Sequence, residues 1–392
     1  EFGDKPETSG KFWRKMKITF VIAEYNPFHT GHLFQLRTAK EQTSADKLAV
    51  IMSGSVTERG DFAVCGKRTR AAWAKIAGAD AVLELPTCYA LNNAEKFSLG
   101  AMKIVSAFSK NNEVTLSFGS ECGDVKKIRR AAEFSEEGNE LFAKVLKERL
   151  AAGDSYPLSR HKALTSVDEE TAKVLSEPNN ILAVEYVKAA KKLGLDIAFH
   201  TVKRQNDYNS TNLEGAYASA TAIRSALFSG DVEKAEKYLP KYVSDTLPYS
   251  LSNRNLSALV LYDLNAKSKA ELEALPEVSE GLENRLKSAL AVSSSYESLV
   301  ENVKTKRYTM AKIKRILLYS LLKIDKTSLR RLTEAKPYFN FLEADADILK
   351  ALAATGEKGI VKLKDAETLD EVQAESFRLD RFSEEVRNVV YP

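Results

Sequence analysis

Two histidines, His29 and His32, flank a short segment that contains Gly31. They follow an apolar run at residues 18–23 and precede a segment with helical spacing at residues 33–42. Two imidazoles at a helix N-terminus add hydrogen-bond donors to the free backbone amides and to the positive end of the helix dipole, and the glycine lets a ligand approach the backbone. This arrangement is typical of a triphosphate site. The alternative is a pair of surface histidines in an ordinary loop between a strand and a helix.

A second candidate anion site lies at residues 219–225, which read Ser-Ala-Thr-Ala-Ile-Arg-Ser and open a predicted helix. Hydroxyls such as those of Ser219 and Thr221 cap helices and also bind phosphate oxygens, while Arg224 offers a planar cationic fork for the same anion. Taken alone, the segment is more often only a helix cap. Paired with the histidine motif, it predicts a shared phosphate site.

The elements that must position these residues alternate between strand and helix. Short β-branched and apolar runs predict five strands, at residues 18–23, 48–52, 81–85, 114–118 and 197–202. Apolar residues at three- and four-residue spacing predict helices at residues 33–42, 67–78, 95–108, 126–152 and 180–193. This order predicts an α/β fold for residues 16–230, a Rossmann-like doubly wound parallel sheet whose ligands bind beyond the carboxyl ends of the strands.

After residue 230 the sequence becomes rich in Leu, Lys and Glu at helical spacing. We expect residues 231–392 to form a second, mainly α-helical domain with no strand before residues 359–363. Residues 1–15 are polar and without pattern, and we expect them to be an added or disordered leader.

The composition is that of a globular protein. The chain has 392 residues, of which 44% are hydrophobic and 29% charged, and its net charge is only +4, which excludes a largely disordered chain. Its three cysteines are widely spaced with no neighbouring histidines, so no protein-held metal site is expected. The chain contains neither a stretch long and apolar enough for a membrane span nor a signal-peptide pattern, and we expect a cytoplasmic protein.

Both motifs together resemble the two signatures of the HIGH-motif nucleotidyltransferase superfamily, in which a nucleophile attacks the α-phosphate of a nucleoside triphosphate. Five segments, the first of which extends the histidine motif, make the chain similar to the tRNA(Met) cytidine acetate ligase family. Their sequences are Glu-Tyr-Asn-Pro-Phe-His-Thr-Gly-His (24–32), Met-Ser-Gly (52–54), Phe-Gly-Ser-Glu (118–121), Glu-Pro-Asn-Asn-Ile-Leu (177–182) and Lys-Thr-Lys-Arg-Tyr-Thr (304–309).

The resemblance implies an enzyme that activates acetate with ATP as acetyl-adenylate and then acetylates the exocyclic amine of the wobble cytidine in elongator tRNA(Met), giving N4-acetylcytidine. Magnesium would accompany ATP, and no obligate protein partner is evident. A base for the amine is not identifiable from the sequence, with Glu24 as one possibility. Two other functions stay open, a small-molecule adenylyltransferase of the same superfamily and a non-catalytic protein that binds ATP and RNA.

Site residues follow from the two motifs and from the resemblance. The two motifs predict His29, His32 and Arg224 as catalytic residues, with Ser219 and Thr221 binding phosphate oxygens of ATP beside them. The other implied ATP contacts are Ile22, Ala23, Glu24, Tyr25, Asn26, Pro27, Phe28, Thr30, Gly31, Leu33, Phe34, Gln35, Gly119, Asn179, Arg204 and Gln205. The chain departs from the family pattern at two of the positions considered: Gln205 replaces an aliphatic residue, and Ala220 replaces a hydroxyl residue.

A basic segment at residues 304–315 contains six basic residues and no acidic one. Such clustering is the footprint of phosphate-backbone binding, and Tyr308 offers a ring for base stacking. We therefore predict a tRNA-binding surface on the second domain formed by Lys304, Lys306, Arg307, Lys312, Lys314 and Arg315. The alternative is the solvated face of a helix, because apolar residues alternate with these cations at helical spacing.

Overall fold

The structure, a computed structural model, describes residues 15–134, 136, 138–154, 156–204, 217–248 and 251–392. Strand β1 (Lys17–Ala23) lies inside the sheet, and its residues 18–21 are buried. A strand can be hydrophobic on both faces in this way only where helices cover the sheet on both sides.

The sheet contains seven strands within the described residues. They are β1 (Lys17–Ala23), β2 (Lys47–Ser53), β3 (Ala81–Leu85), β4 (Glu113–Ser120), β5 (Ala198–Lys203), β6 (Phe339–Ala344) and β7 (Gly359–Ile360).

The strand order is β5-β4-β1-β2-β3-β6-β7, and β1 to β5 are parallel to their neighbours within this set. Each of the five predicted strands overlaps one of these, so the prediction of a Rossmann-like α/β fold is confirmed. The chain order reverses between β1 and β4, and the crevice outside their carboxyl ends is where ligands bind in such sheets.

Helices cover both faces of the sheet and make up most of the remaining chain. The described residues contain α1 (Thr30–Gln42), α2 (Lys67–Ile76), α3 (Thr87–Ala90), α4 (Ala94–Ser109), α5 (Val125–Glu133), α6 (Glu140–Ala151), α7 (Tyr156–Val167), α8 (Glu169–Val174), α9 (Pro178–Lys192), α10 (Ala220–Ser229), α11 (Val232–Glu236), α12 (Lys241–Ser244), α13 (Arg254–Ala266), α14 (Lys269–Glu273), α15 (Leu282–Leu290), α16 (Tyr296–Val303), α17 (Met310–Leu321), α18 (Lys326–Glu334), α19 (Ala346–Ala353), a 3-10 helix (Leu363–Thr368) and α20 (Glu371–Val390). None of the helices within the described residues is long and apolar enough to cross a membrane.

Two predicted elements differ from the structure. The helix expected at residues 126–152 is divided into α5 and α6, with residues 134–139 between them. The expectation of no strand between residues 231 and 359 is wrong, because β6 pairs antiparallel with β3 and extends the sheet. The sequence of β6 hides it, since the polar Asn340 interrupts its apolar run.

Asn340 is buried because a carboxylate lies opposite it. Its Nδ2 donates to Glu84 Oε2 in β3 at 2.6 Å, and Lys67 Nζ of α2 forms an ion pair with Glu84 Oε1 at 2.6 Å. Lys67 Nζ also donates to the backbone oxygen of Asp380 in α20 at 3.5 Å. This buried polar network joins the first and last parts of the chain at one edge of the parallel strands.

One hydrophobic core likewise includes residues from both sides of residue 230. Phe20 in β1, Ile223 in α10, Leu317 in α17 and Phe341 in β6 are all buried members of the same cluster. A smaller cluster, containing Phe142 and Leu164 among its members, fills the space between α6, α7 and α8. The boundary at residue 230 stays a prediction.

The shared sheet and core predict the behaviour of the first half alone. A fragment of residues 15–230 would expose the β3 edge and the apolar side chains that pack against residues after 230. Each buried apolar side chain that becomes exposed costs about 1.5–3 kcal/mol of a total stability of roughly 5–15 kcal/mol. We expect this fragment to show no cooperative thermal unfolding by circular dichroism, whereas the full chain does. A cooperative transition in the fragment would identify an independent domain.

Candidate active site

The turn after β1 places both histidines at the start of α1. His29 is the N-cap residue, and its Nδ1 accepts a hydrogen bond from the backbone N–H of Gly31 at 3.1 Å. His32 Nδ1 in turn accepts from the backbone N–H of His29 at 3.3 Å. This reciprocal cap satisfies two backbone donors and starts the helix at Thr30, earlier than the predicted start at residue 33.

The cap determines which nitrogen of each imidazole carries the proton. Because both Nδ1 atoms accept hydrogen bonds, the neutral rings carry their protons on Nε2. Burial lowers the pKa of His29 to about 3, with Arg204 and Arg224 acting in the same direction. Burial also lowers the pKa of His32 well below its usual range, helped by His29 and Arg204. Both rings are therefore neutral hydrogen-bond donors near pH 7.

Gly31 is required by the position of the His29 ring. A Cβ on Gly31 would lie 2.9 Å from His29 Cε1 and 3.0 Å from His29 Nδ1, closer than side-chain carbons normally approach. The two imidazoles stack with their centroids 3.7 Å apart. A side chain at residue 31 would therefore push His29 out of the capping position.

Helix α10 brings the second motif against this turn. Ser219 caps the helix by accepting at Oγ from the backbone N–H of Ala222 at 3.0 Å. Arg224 Nη1 donates to the backbone oxygen of Asn26 at 2.7 Å, and its Nη2 donates to Thr221 Oγ1 at 3.3 Å. The contact between Arg224 and Asn26 joins the two motifs directly, across 198 residues of sequence.

A third junction forms where β4 ends and α9 begins. Glu121 Oε1 accepts from Asn179 Nδ2 at 2.6 Å, and Glu121 Oε2 accepts from the backbone N–H of Asn180 at 2.9 Å. Asn180 Oδ1 accepts in return from the backbone N–H of Glu121 at 3.0 Å. These bonds hold Gly119 and Asn179 on the same side of the sheet as the histidines.

A cleft opens at the carboxyl ends of β1, β2, β4 and β5. It consists of a larger cavity of about 1120 Å³ and a smaller one of about 520 Å³, which share five lining residues. The shared residues are His29, His32, Gln35, Gly119 and Arg204.

Most of the predicted site residues line this cleft. In addition to the shared five, the larger cavity is lined by Ile22, Ala23, Glu24, Tyr25, Asn26, Asn179, Ser219, Thr221 and Arg224. Gly31 and Phe34 line the smaller cavity. The structure does not place Pro27, Phe28, Thr30 or Leu33 in the lining of either cavity. Phe28 is buried beneath the turn, and Gln205 lies outside the described residues.

The chain matches the family model described as HIGH Nucleotidyl Transferase over residues 16–392. The tRNA(Met) cytidine acetate ligase of Thermoanaerobacter sp. (strain X514) is 39% identical over 321 residues, covering 79% of each chain. That of Caldanaerobacter subterraneus subsp. tengcongensis is 34% identical over 390 residues, covering 96% of each chain. The chain belongs to the tRNA(Met) cytidine acetate ligase family.

Solved structures agree with this membership. The crystal structure of Thermotoga maritima TmcAL in its apo form matches with a TM-score of 0.86 at 30% identity, covering 96% of this chain and 95% of that one. The form bound with alpha-thio ATP matches with a TM-score of 0.84 over the same shares. The resemblance drawn from the motifs, the HIGH nucleotidyltransferase fold and the ligase class are thus confirmed.

The larger cavity of this family member also contains residues that sequence reasoning missed. Glu58, Arg59 and Asp61 lie in the loop after β2 and line the cavity together with the histidines. Their position beyond the end of a parallel strand was the available signal, because the crevice at the carboxyl ends of the strands is the expected binding region. None of the three belongs to a recognisable motif.

The same loop packs on α17, at the end of the basic segment. Gly60 has a φ of +81°, and a Cβ there would overlap the backbone of Lys314 and Arg315. Lys314 Nζ forms an ion pair with Asp61 Oδ1 at 2.8 Å. Lys314 thus faces the cleft wall.

Arg315 lies deeper still in this contact, with its side chain 8% exposed. Its Nε and Nη2 donate to the two carboxylate oxygens of Glu277 at 2.6 and 2.8 Å, and its Nη1 donates to the backbone oxygen of Glu58 at 3.2 Å. The other members of the basic segment differ. Lys304, Lys306 and Arg307 are exposed, and Lys312 is half-buried. The ring of Tyr308 is buried, so the expectation that it stacks on a base is wrong.

The crowding at Gly31 predicts the effect of a small substitution. Gly31→Ala should displace the His29 ring, remove the cap that fixes both tautomers and weaken ATP binding by about tenfold or more, the equivalent of one lost hydrogen bond to a charged group. Isothermal titration calorimetry with ATP measures the affinity, and thermal unfolding serves as the control for folding. Unchanged affinity would mean that the His29 position does not matter for binding.

Proposed function

We propose that this cleft binds ATP and acetate, forms acetyl-adenylate, and then acetylates the exocyclic amine of the wobble cytidine of elongator tRNA(Met), giving N4-acetylcytidine. The observation that carries the proposal is the contact between Arg224 and Asn26, which brings the two nucleotidyltransferase motifs together beside two neutral histidine donors. Family membership supports the choice of reaction. The alpha-thio ATP complex of the Thermotoga maritima relative supports the nucleotide.

Formation of the adenylate requires charge stabilisation but no base. Acetate is already an anion near neutral pH, so one of its oxygens attacks the α-phosphorus directly and pyrophosphate leaves. Negative charge develops on the phosphoryl oxygens during this step. We assign His32 Nε2–H to the α-phosphate and His29 Nε2–H to a neighbouring phosphate, with Arg224 supplying positive charge. Such preorganised donors act strongly in a cleft that excludes water.

Arg204 and Arg59 line the same cavity and extend this positive lining. Burial lowers the pKa of His29, and the charges of Arg204 and Arg224, which line the same cavity as His29, lower it further. A bound polyphosphate would therefore meet neutral donors on one side and guanidinium groups around it. The proposed catalytic residues of adenylate formation are His29, His32 and Arg224, and the other predicted ATP contacts that line the cleft, Glu24 apart, position ATP.

Magnesium is proposed to enter with ATP. Among the described residues no group of three or more His, Cys, Asp or Glu side chains is arranged to hold a metal ion. Mg²⁺ is commonly bound through substrate phosphates and retained water with only one or two protein carboxylates. The ion would add neutralising charge to the triphosphate, while the chain's own residues orient it.

The proposed tRNA-binding surface consists of Lys304, Lys306, Arg307 and Lys312. The first three side chains are exposed, and Arg307 forms an ion pair with Glu280 on the protein surface. Exposed ion pairs of this kind contribute little to stability, so phosphate can replace the partner. We leave Lys314 and Arg315 out of the surface, because both are engaged by carboxylates at the cleft wall. A tRNA substrate places the proposed reaction in the cytoplasm.

The central test measures both half-reactions. With ATP, magnesium and labelled pyrophosphate, we expect exchange into ATP only when acetate is present, and label from acetate to reach elongator tRNA(Met) when the tRNA is added. An unmodifiable tRNA with a different wobble base is the control. Acetate-independent exchange would instead favour a small-molecule adenylyltransferase. Absence of exchange would contradict catalysis.

A pair of variants separates the two surfaces. His32→Ala should lower acetate-dependent exchange by about 10²-fold, the typical effect of removing one transition-state donor, while tRNA binding is retained. Lys306→Ala with Arg307→Ala should do the reverse, weakening tRNA binding and reducing the slope of its salt dependence by about two. Filter binding at several salt concentrations measures the second effect. Variants that affect both activities equally would contradict this division.

A further inference from the structure

The larger cavity contains three carboxylates among its described lining residues, Glu24, Glu58 and Asp61. Formation of the adenylate requires no base, but transfer of the acetyl group does, because the attacking amine must lose a proton. A weakly basic aromatic amine does not lose it readily without an acceptor nearby. The acceptor must be one of the groups that face this cavity.

The histidines are unsuitable as acceptors. The only basic nitrogen of each neutral ring is Nδ1, and in both rings this atom already accepts a backbone hydrogen bond. Protonation at Nδ1 would break the cap at the start of α1. His29 and His32 therefore serve as donors, and the acceptor must be a carboxylate.

Two of the three carboxylates are occupied by cations from α17. Asp61 Oδ1 lies 2.8 Å from Lys314 Nζ, and Glu58 Oε1 lies 3.8 Å from Arg315 Nη1. These contacts tie Asp61 and Glu58, and the part of the cavity wall that they form, to α17. Their role is to hold that wall.

Glu24 differs from both. Its Oε1 accepts from the backbone N–H of Glu58 at 2.8 Å, which fixes the carboxylate in the cavity wall. No hydrogen bond to its Oε2 is formed by the described residues. Glu24 is also the first residue after β1, two positions before Asn26, whose backbone oxygen accepts from Arg224. One oxygen is thus anchored while the other is available to a substrate.

The surroundings of Glu24 suit proton transfer near neutral pH. The pKa of Glu24 is raised to about 7, chiefly by burial. The Glu58 backbone N–H and the charges of Arg224 and Arg59 oppose this rise, and the charge of Glu58 adds to it. Tyr186 of α9 lines the same cavity, and burial raises the pKa of its hydroxyl well above the usual range, so it stays neutral. A base is most effective when its pKa lies near the working pH.

We propose that Glu24 is the general base of the acetyl-transfer step, accepting at Oε2 the proton that leaves the cytidine amine. This inference rests on the proposed function. The amine nitrogen forms a bond to the acetyl carbonyl carbon, the bond between that carbon and the phosphate oxygen breaks, and its electron pair leaves with AMP. The nitrogen proton passes to the Glu24 carboxylate and then to solvent.

Glu24→Gln tests the assignment, because a glutamine oxygen still accepts from the Glu58 backbone N–H but cannot take the proton. Two rates are compared in the full chain, acetate-dependent pyrophosphate exchange and single-turnover transfer from synthetic acetyl-adenylate to elongator tRNA(Met). Loss of a general base lowers a rate by about 10²–10⁴-fold. We expect transfer to fall by that factor relative to exchange.

The pH profile distinguishes a base from a structural role. Only the ionised carboxylate accepts a proton, so wild-type transfer should rise as pH increases through about 7 and level off above it. Glu24→Gln should lose this rising limb, and Glu24→Asp should retain it at a lower rate. Glu58→Gln is the matched control, because it removes the neighbouring carboxylate. Its transfer rate should still rise with pH, whatever the absolute rate.

Two results would overturn the assignment of Glu24. One is a Glu24→Gln variant that transfers the acetyl group at the wild-type rate and whose rate still rises with pH. The other is an equal loss of exchange and transfer, which would place Glu24 in ATP binding. A wild-type chain without acetate-dependent exchange gives a different result, because it overturns the proposed function itself.

Discussion

The reciprocal hydrogen bonds between His29 and His32 at the start of α1 are the constraint on which the cleft depends. They use the Nδ1 atom of each ring, and so they fix both tautomers and direct both Nε2–H groups away from the helix backbone. Burial and two nearby arginines keep the rings neutral. A cap that most helices make with serine or aspartate is made here by side chains that also provide donors to the cleft.

Three further sets of contacts hold the segments that surround the cleft. Arg224 ties α10 to the turn through the Asn26 carbonyl, and Glu121 ties the end of β4 to the start of α9. The last third of the chain supports the loop after β2, where Arg315 contacts the backbone of Glu58 and Lys314 contacts Asp61. The C-terminal part therefore holds a loop that lines the cleft and also forms an edge of the sheet.

Sequence reasoning succeeded where the signal was local. The five parallel strands were predicted because each is a short apolar run, and the position of the histidines between a strand and a helix because they directly follow the first of these runs. It failed where the deciding partner is distant. Asn340 belongs to a strand only because Glu84 lies opposite it, 256 residues earlier in the chain. The same is true of the basic segment. Lys314 differs from the exposed lysines because it is paired with Asp61, which is 253 residues away in the sequence. Charge clustering alone cannot separate an exposed lysine from one that holds a wall.

On the proposed function, the position of Glu24 explains how one cleft serves two different steps. The first step needs hydrogen-bond donors around the phosphate anion. The second needs a proton acceptor near the amine that attacks the acetyl carbon. Both are supplied by the short segment after β1, in which Glu24 lies five residues before His29 and eight before His32. The histidines that stabilise the phosphate charge and the carboxylate that accepts the proton are thus positioned by one turn. The activated acetyl group can then react where it is formed, because the base is already part of the wall that binds its precursor.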